Sequence, residues 1–445
     1  MFGVVRLRRG ARLDTPYVWF ERFPTRLSAG VSHMPRSLFA LLLSLPLSLT
    51  LPAADWNQFR GPLGSGHADA KNAPTEWDAA KNVTWKKALP GGGWSSPAIA
   101  GGKMYLTAAV PEGGGYSLRA LCLDAATGEA AWDVEVFKQD AKAPKIHNKN
   151  SHASPTAIIE GDKVYVHFGH MGTACLSATD GTPVWADTTH RYAPVHGNGG
   201  SPILVGDTLI FSTDGTDKQL VIGLDKKTGK QAWATPRNLK VVQPFSFSTP
   251  TLIIVNGQQQ VISPGSGVVM ALDPKSGKEI WRVNYQGGYS VIPKPVYADG
   301  MVYVCTGYNT PQLMAIKVNG KGDVTNSHVA WTVKKNVPHS ASLLLVDGAI
   351  YMVSDKGTLS CLDAKTGNEK WSESVGGNYS ASPVYAGGLI YLLSEDGVGT
   401  VFRPGTSYDP VSRNALKERT LASYALDGDA LFIRGEKNLY RIEKK

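Results

Sequence analysis

The sequence has few cysteines and no close pair of them. Its four cysteines, Cys122, Cys175, Cys305 and Cys361, are neither adjacent nor arranged as C-x-x-C. This spacing excludes the usual cysteine metal sites and leaves no vicinal pair to form a disulfide. Cys122, Cys175 and Cys361 each precede a leucine at equivalent places in a repeat, so we expect small buried side chains there.

The chain also lacks a long hydrophobic run and a dense basic stripe. Its main apolar run, LFALLLSLPLSLTL, is shorter than the roughly 20 residues of a membrane-spanning helix. The net charge of +9 comes from 46 basic and 37 acidic residues, and much of it lies near the N-terminus. We therefore expect neither nucleic-acid binding nor a transmembrane span in the mature chain.

Residues 34–54 carry a short basic region, the apolar run and small residues before Asp55. This order is typical of a secretory signal peptide, so we predict a periplasmic or secreted protein. We expect translation to start at Met34 and residues 1–33 to be a spurious extension, so residues 1–54 hold no part of the mature chain. An internal hydrophobic anchor is the alternative interpretation.

A repeat dominates the rest of the chain, which is rich in glycine (48) and proline (27). Five segments read as strand, tight turn and strand, with an Asp that opens the turn and a Gly that takes the left-handed position. They are CLDAATGEAAW, CLSATDGTPVW, GLDKKTGKQAW, ALDPKSGKEIW and CLDAKTGNEKW, and they end at Trp132, Trp185, Trp233, Trp281 and Trp371. A sixth copy with a longer turn ends at Trp331. Successive tryptophans of the repeat are 40 to 53 residues apart. This period is that of a four-stranded propeller blade.

The repeats predict an all-β fold, an eight-bladed β-propeller that occupies residues 81–445 after a lead segment at 55–80. Seven blades follow in order, and the C-terminal tail supplies only three strands of the eighth. The missing strand is NVTWKKAL near Trp85, so an N-terminal strand is expected to complete the last blade and close the ring. Seven tryptophans are expected to dock between blades: Trp85, Trp132, Trp185, Trp233, Trp281, Trp331 and Trp371.

The D-x-x-T-G-x-x-x-W turn resembles the tryptophan-docking repeat of the pyrroloquinoline-quinone (PQQ) dehydrogenase superfamily. The opening DWNQFRGP at 55–62 is similar to the start of exported PQQ-like propellers of the planctomycete and verrucomicrobial type. The resemblance implies a quinoprotein-like propeller, related also to WD40-like folds. For the enzymes of that superfamily it implies PQQ with calcium as cofactor. The same repeat occurs in non-enzymatic assembly lipoproteins, so the fold alone does not set the function.

The inner strands are expected to begin with small hydroxyl residues, which suits the crowded axis. The positions are Ser96, Ser154, Ser201, Thr249, Lys294, Ser342, Ser382 and Ser423. Lys294 breaks this size rule, and such breaks tend to mark sites.

Histidines are concentrated between residues 147 and 196, near other polar side chains. The plain interpretation is loop residues that bond the backbone. The sharper one is a polar pocket at one mouth of the propeller, with His147, Asn150, His152, His170, His196, Asn198, Lys294 and His339 as candidate ligand-binding residues. No catalytic residue and no metal ligand is assigned.

The first functional hypothesis is an exported, monomeric, non-catalytic binding or scaffold propeller. Its partner would be a protein, a small molecule or a glycan. The alternative is a PQQ- or metal-dependent oxidoreductase that uses the histidine-rich mouth, and a glycan-related enzyme or binding module is a third hypothesis. The chain has no vicinal cysteines and is shorter than the PQQ dehydrogenases that it resembles. Both features favour the first hypothesis, a non-catalytic propeller.

Overall fold

The computed structural model describes residues 55–445, which form eight four-stranded antiparallel sheets around one axis. The first strand of blade 1 contacts the first strands of blades 2 and 8, so the first strands are innermost. This arrangement confirms the predicted all-β, eight-bladed propeller. The predicted extension and signal peptide at 1–54 lie outside the described residues.

Blades 1 to 4 follow one another along the chain, each built from the axis outward. Their strands are Ala98–Ala100, Lys103–Glu112, Gly115–Asp124 and Ala130–Gln139 in blade 1; Ile158–Glu160, Lys163–His167, Thr173–Ser177 and Pro183–Asp187 in blade 2; Ile203–Val205, Thr208–Asp214, Gln219–Asp225 and Gln231–Pro236 in blade 3; and Thr251–Val255, Gln258–Gly265, Val268–Leu272 and Glu279–Asn284 in blade 4.

Blades 5 to 7 repeat the pattern, and blade 8 joins the two ends of the described chain. Their strands are Val296–Ala298, Met301–Cys305, Leu313–Lys317 and Val329–Val333 in blade 5; Leu344–Val346, Ala349–Val353, Thr358–Asp363 and Glu369–Ser374 in blade 6; Val384–Ala386, Leu389–Leu393, Val398–Arg403 and Asp409–Ala415 in blade 7; and Ala425–Asp427, Ala430–Arg434, Asn438–Ile442 and Val83–Ala88 in blade 8.

The outer strand of blade 8, Val83–Ala88, precedes all other blade strands in the chain. It pairs antiparallel with Asn438–Ile442, and Trp85 lies opposite Arg441. Two short strands add to the blades: Gly322–Asp323 runs parallel to the outer edge of blade 4, and His67–Ala68 runs parallel to the innermost strand of blade 7.

Six of the seven docking tryptophans bond the turn of the following blade, and Trp185 shows the geometry. The Trp185 indole N–H donates to the Lys226 carbonyl oxygen at 2.9 Å, and its ring lies over Gly229, where an added Cβ would be 2.5 Å from a ring carbon. Gly229 has a φ of +70°, so both the turn and the ring above it require glycine. The repeated Gly and Trp are therefore two halves of one contact between neighbouring blades.

The same indole bond joins the other blades, with one exception. Indole N–H groups donate to turn carbonyls from Trp85, Trp132, Trp233, Trp331 and Trp371. Trp281 instead donates to the side-chain oxygen of Gln260 in its own blade, at 3.0 Å. The longer turn of blade 5 explains this difference, because the repeat there has no short Asp–Gly turn to receive the indole.

The core lies between the blades. Its clusters join facing sheets, as where Trp281 of blade 4 packs with Val302 and Ile316 of blade 5. The four cysteines are buried and free, as expected, and burial raises the pKa of the Cys122 thiol to about 11. Such thiols behave as small apolar side chains.

The lead segment crosses the axis on one side of the inner strands. Trp56 and Asn57 accept backbone hydrogen bonds from blades 1 and 2, and Gly66 accepts one from Tyr385 of blade 7. The Arg60 guanidinium donates to one backbone carbonyl of blade 6, and the His67 ring forms a hydrogen bond with another. Blades 1 and 2 face blades 5 and 6 across an eightfold ring, so the segment spans the channel.

In the part of the chain that the structure describes, helix is confined to two short 3-10 turns, Pro62–Gly64 and Gly169–Met171. Within residues 55–445, no helix has the length and apolar character needed to cross a bilayer.

Candidate functional site

A cavity of about 640 Å³ opens at one end of the propeller axis. The residues that enter the inner strands line its floor and walls, and Phe59 of the lead segment reaches the floor. Its volume is within the range of small-molecule sites. We call this cavity the axial mouth.

A ring of hydroxyl groups forms the floor of the axial mouth. In seven of the eight blade contacts, the backbone N–H at the ring position donates to the hydroxyl oxygen of the next blade, at 2.9 to 3.1 Å. The hydroxyl ring consists of Ser96, Thr156, Ser201, Thr249, Ser342, Ser382 and Ser423. The predicted small polar inner-strand starts are therefore hydrogen-bond acceptors that join blades, as well as small side chains.

Blade 2 differs from the sequence interpretation by two residues. Thr156, and not Ser154, stands at the ring position, because its hydroxyl receives the N–H of Ser96 and its own N–H bonds Ser201. The Ser154 hydroxyl instead donates to the side-chain oxygen of Asn150 at 2.6 Å. Ser154 and Thr156 are two positions apart, so both hydroxyl side chains lie on the same face of the extended chain. Only the hydrogen bonds between blades show which of them takes the ring position.

Lys294 occupies the eighth ring position and interrupts the ring between blades 4 and 5. Its side chain is 3% exposed, and its ammonium group donates to the Pro250 carbonyl oxygen of blade 4 at 2.7 Å. The side chain lies against Gly64 of the lead segment, where an added Cβ would be 2.5 Å from Lys294 Cε. Lys294 therefore lies beneath the floor and does not line the axial mouth.

Burial, with a smaller contribution from the nearby Arg60 guanidinium, lowers the pKa of Lys294 to about 7. The unfolded chain keeps this proton up to about pH 10.5, so unfolding takes up a proton between these two pH values. The folded state should consequently gain stability as pH rises through this window.

Lys294→Met is expected to remove this pH dependence. From about pH 7 to about pH 9, the free energy of unfolding of the wild type should rise relative to the variant by about 1 kcal/mol per pH unit. Urea unfolding across this range measures the difference. Lys365→Met, at an exposed turn residue, is the control and should follow the wild type. Parallel pH profiles for the wild type and Lys294→Met would contradict the assignment of a buried amine that loses its proton.

Aromatic rings follow one another around part of the axial mouth. Consecutive pairs of these rings meet edge to face, with centroids 5.3 to 5.6 Å apart. The aromatic arc consists of His147, His196, Phe245, Tyr289, Tyr308 and His339. This geometry is favourable for aromatic side chains, and it holds loops from five successive blades together.

Charged groups lie on the remaining part of the rim. The Lys149 ammonium pairs with Glu395 at 2.7 Å, and the Asp355 carboxylate accepts from the His339 N–H and the Ser340 hydroxyl at 2.7 and 2.9 Å. Arg419 lies 5.5 Å from the centroid of the Trp94 ring. The rim carboxylates thus already hold loop groups in place.

Four of the eight candidate ligand-binding residues line the axial mouth: His147, Asn150, His196 and His339. Asn150 donates to the His196 carbonyl oxygen at 2.9 Å, and His147 donates its backbone N–H to the same oxygen. These bonds hold His196 at a φ of +66°. The plain interpretation, loop residues that bond the backbone, thus describes much of their role.

The other candidates besides Lys294 are His152, His170 and Asn198, and they are buried away from the mouth. The His152 ring lies 4.4 Å from the Tyr116 ring, and Asn198 donates to the Phe168 carbonyl oxygen at 3.1 Å. Burial lowers the pKa of both His152 and His170, which favours their neutral imidazoles. Sequence analysis placed these side chains in one site because they are close along the chain. In the fold, some lie at the rim and others in the interior.

Seven lining residues that sequence analysis missed follow a simple register, which they share with Ser154. The residue two positions before each ring position lines the axial mouth in all eight blades: Trp94, Ser154, Gly199, Phe247, Ile292, Ser340, Ser380 and Leu421. Residues two apart in an extended chain share a face. Alignment of the eight repeats on their ring positions would have revealed this second ring.

The residues present do not fit PQQ with calcium as the dehydrogenases of the resemblance hold them. Within residues 55–445, no cluster of three or more histidine, cysteine or acidic side chains could hold a metal ion. The carboxylates at the rim are engaged by Lys149, His339 and Ser340, and the cysteines lie apart and buried. No reaction step is therefore derived through this cofactor.

Comparison with curated proteins finds relatives that carry the name outer membrane protein assembly factor BamB. The protein from Burkholderia pseudomallei is 24% identical over 355 residues, which cover 67% of this chain and 87% of that protein. The protein from Moranella endobia is 24% identical over 264 residues, and that from Yersinia pestis 22% over 209 residues. The chain spans 62% and 50% of the length of these last two relatives.

Solved structures share the fold at low sequence identity. BamB from Moraxella catarrhalis matches with a TM-score of 0.59 and 16% identity, over 82% of this chain and 97% of that chain. A europium-containing methanol dehydrogenase matches with a TM-score of 0.59 and 12% identity, over 88% and 98%. A BamB chain and a methanol dehydrogenase thus match this propeller with the same TM-score, which shows the fold alone.

A family model described as outer membrane protein assembly factor BamB matches residues 67–194, 122–328 and 322–430. These overlapping matches contain the repeated Asp–Gly turns and the docking tryptophans of most blades. Because they extend over most of the chain, the protein belongs to the PQQ-type repeat family described as outer membrane protein assembly factor BamB.

Proposed function

We propose that this protein is an exported propeller that binds a ligand or partner at its axial mouth and catalyses no reaction. The observation that supports this most is that the rim carboxylates, Asn150 and the oxygens of the ring hydroxyls are engaged in structural bonds. The rim acids and Asn150 hold loops, and the ring hydroxyls join blades. These groups enclose the axial mouth, and a cavity of this kind suits the binding of a ligand.

The names of the relatives suggest a place for this function. Those proteins are outer membrane protein assembly factors, so we propose that this chain acts as a scaffold in the cell envelope, in the periplasm or after secretion. The predicted signal peptide at 34–54 agrees with that location. The motif DWNQFRGP at residues 55–62 further suggests the planctomycete and verrucomicrobial type of exported propeller. A protein, a small molecule or a glycan is the partner class.

Reconstitution of the purified chain with PQQ and Ca²⁺ tests the absence of catalysis against the quinoprotein alternative. We expect no new absorption band and no reduction of an electron-accepting dye with alcohols or sugars. Dye reduction that is lost in Asp355→Asn, at the axial mouth, and kept in Asp409→Asn, at the exposed pair with Arg403, would overturn the proposal. The two variants make the same chemical change, so only the location differs.

A further inference from the structure

The hydroxyl ring has seven donors that the protein does not use. Each hydroxyl oxygen accepts a backbone N–H, and within residues 55–445 none of the seven donates its proton to a protein acceptor. All seven residues line the floor of the axial mouth. A circle of O–H groups with free protons is suited to a ligand oxygen, and best to a negatively charged one.

Two buried basic side chains, Arg60 and Lys294, lie beneath this ring. Arg60 is fully buried, with its Nε and Nη1 groups unpartnered, while Nη2 donates to the Leu343 and Ser65 carbonyl oxygens. Lys294 bonds only the Pro250 carbonyl oxygen through its ammonium group. Neither forms an ion pair with a carboxylate of the described residues. This contrasts with the buried Arg237, which pairs with Asp214 at 2.7 Å.

The absence of a counter-ion matters because buried charge without one is costly. The lead segment delivers Arg60 to the axis, and Lys294 replaces the hydroxyl of blade 5. Both groups therefore lie where the hydroxyl ring is interrupted and the lead segment crosses the axis. The Arg60 guanidinium and the protonated form of Lys294 add positive potential to that of the O–H donors at the floor, and an anion in the axial mouth would favour that protonated form.

The walls above the ring are apolar on two opposite sides. Trp94 and Leu421 line the side of blades 1 and 8, and Phe247 and Ile292 line the side of blades 4 and 5. Small side chains occupy the same register in blades 2, 3, 6 and 7. Ile292 and Tyr308 are 38% and 53% exposed. Such large exposed apolar groups around a cavity indicate a binding surface.

We propose that the axial mouth binds a carboxylate-terminated ligand, with the carboxylate on the hydroxyl ring and an apolar or aromatic body between the two apolar walls. This inference rests on the proposed function and specifies its ligand class. The cavity of about 640 Å³ accommodates an arylalkanoic acid or the last residues of a peptide. Asp355 at the rim lies above the ring and is occupied by His339 and Ser340, so it leaves the floor to the anion.

Calorimetric titration with 3-phenylpropionate and with 3-phenylpropanamide tests the charge of the head group. These probes share the apolar body and differ in the carboxylate. We expect the acid to bind at least ten times more tightly than the amide, with a change in tryptophan fluorescence from Trp94. A peptide ending in Gly-Gly-Phe, as free acid and as amide, distinguishes a chain terminus from a small molecule as the natural source.

Variants of the ring test where the head group lies. Thr249→Val keeps the side-chain shape and removes one donor together with the acceptor of the Ser201 N–H. It is expected to weaken binding of 3-phenylpropionate at least threefold. Thr249→Ser restores the hydroxyl and should restore affinity. Thr213→Val is the matched control, since its buried hydroxyl has no partner and lies outside the mouth; it should bind as the wild type does.

Equal affinity for acid and amide, or binding of neither, would overturn the carboxylate proposal. So would unchanged affinity in Thr249→Val with an unchanged melting temperature. These outcomes do not bear on the dye-reduction test. The proposal of a carboxylate ligand can therefore be wrong while the proposal of a non-catalytic function holds. Conversely, PQQ-dependent activity would overturn the proposed function whatever the acid-to-amide ratio.

Discussion

Trp281→Ala is expected to lower the free energy of unfolding by about 3–5 kcal/mol, the usual range for truncating a large core aromatic residue. Trp281 is fully buried between blades 4 and 5, and its indole N–H donates to Gln260 at 3.0 Å. Alanine would leave a cavity between two sheets and an unpaired buried Gln260 oxygen. Urea unfolding followed by circular dichroism measures the loss.

Trp331→Ala is the comparison for this prediction. Trp331 has the same place in the next repeat but is only partly buried, and it bonds the Lys365 carbonyl oxygen. Its truncation should cost less, because less apolar area returns to water and solvent reaches the vacated site. A near-zero effect at Trp281, or a larger effect at Trp331, would contradict the role of the repeat in packing blades.

Asp214→Asn should be similarly destabilising, by about 3–5 kcal/mol. The Arg237 guanidinium contacts both Asp214 carboxylate oxygens, at 2.7 and 2.8 Å, and both side chains are almost fully buried. Asparagine keeps the shape and removes the negative charge, which leaves a buried cation without its counter-ion. Thermal and urea unfolding measure the loss.

A second substitution separates the charge from the packing. In Asp214→Asn with Arg237→Met, no unpaired cation remains, so stability should recover in large part. Asp409→Asn breaks an exposed pair with Arg403 and should change the free energy of unfolding by less than about 1 kcal/mol. If the double variant were no more stable than Asp214→Asn alone, the loss would come from shape and not from the buried charge.

The repeat made the fold predictable, because each element of its pattern has a local cause. The Asp–Gly turn defines a hairpin, and the Trp every 40 to 53 residues marks an outer strand. The three-stranded tail and the early strand near Trp85 then imply eight blades. The structure pairs those two segments in one sheet. These features depend on neighbours in the chain, so the sequence contains them.

The candidate site was less predictable, and particular residues show why. Lys294 stands out in the sequence, yet its side chain points beneath the floor to Pro250. His152 and His196 are close in the chain, yet one is buried against Tyr116 and the other lines the mouth. Arg60 lies in a segment that no repeat describes. Where a side chain points depends on packing between blades and on the lead segment.

The sequence by itself determined the propeller and its blade order, since turns and alternating strands are local. Only the tertiary structure decided that Thr156, and not Ser154, completes the ring and that the lead segment crosses the axis beneath it. It also decided that seven ring hydroxyls line the mouth and that Arg60 and Lys294 are buried beneath them. These features join residues separated by 40 or more positions, and only the closure of eight blades around one axis brings them together.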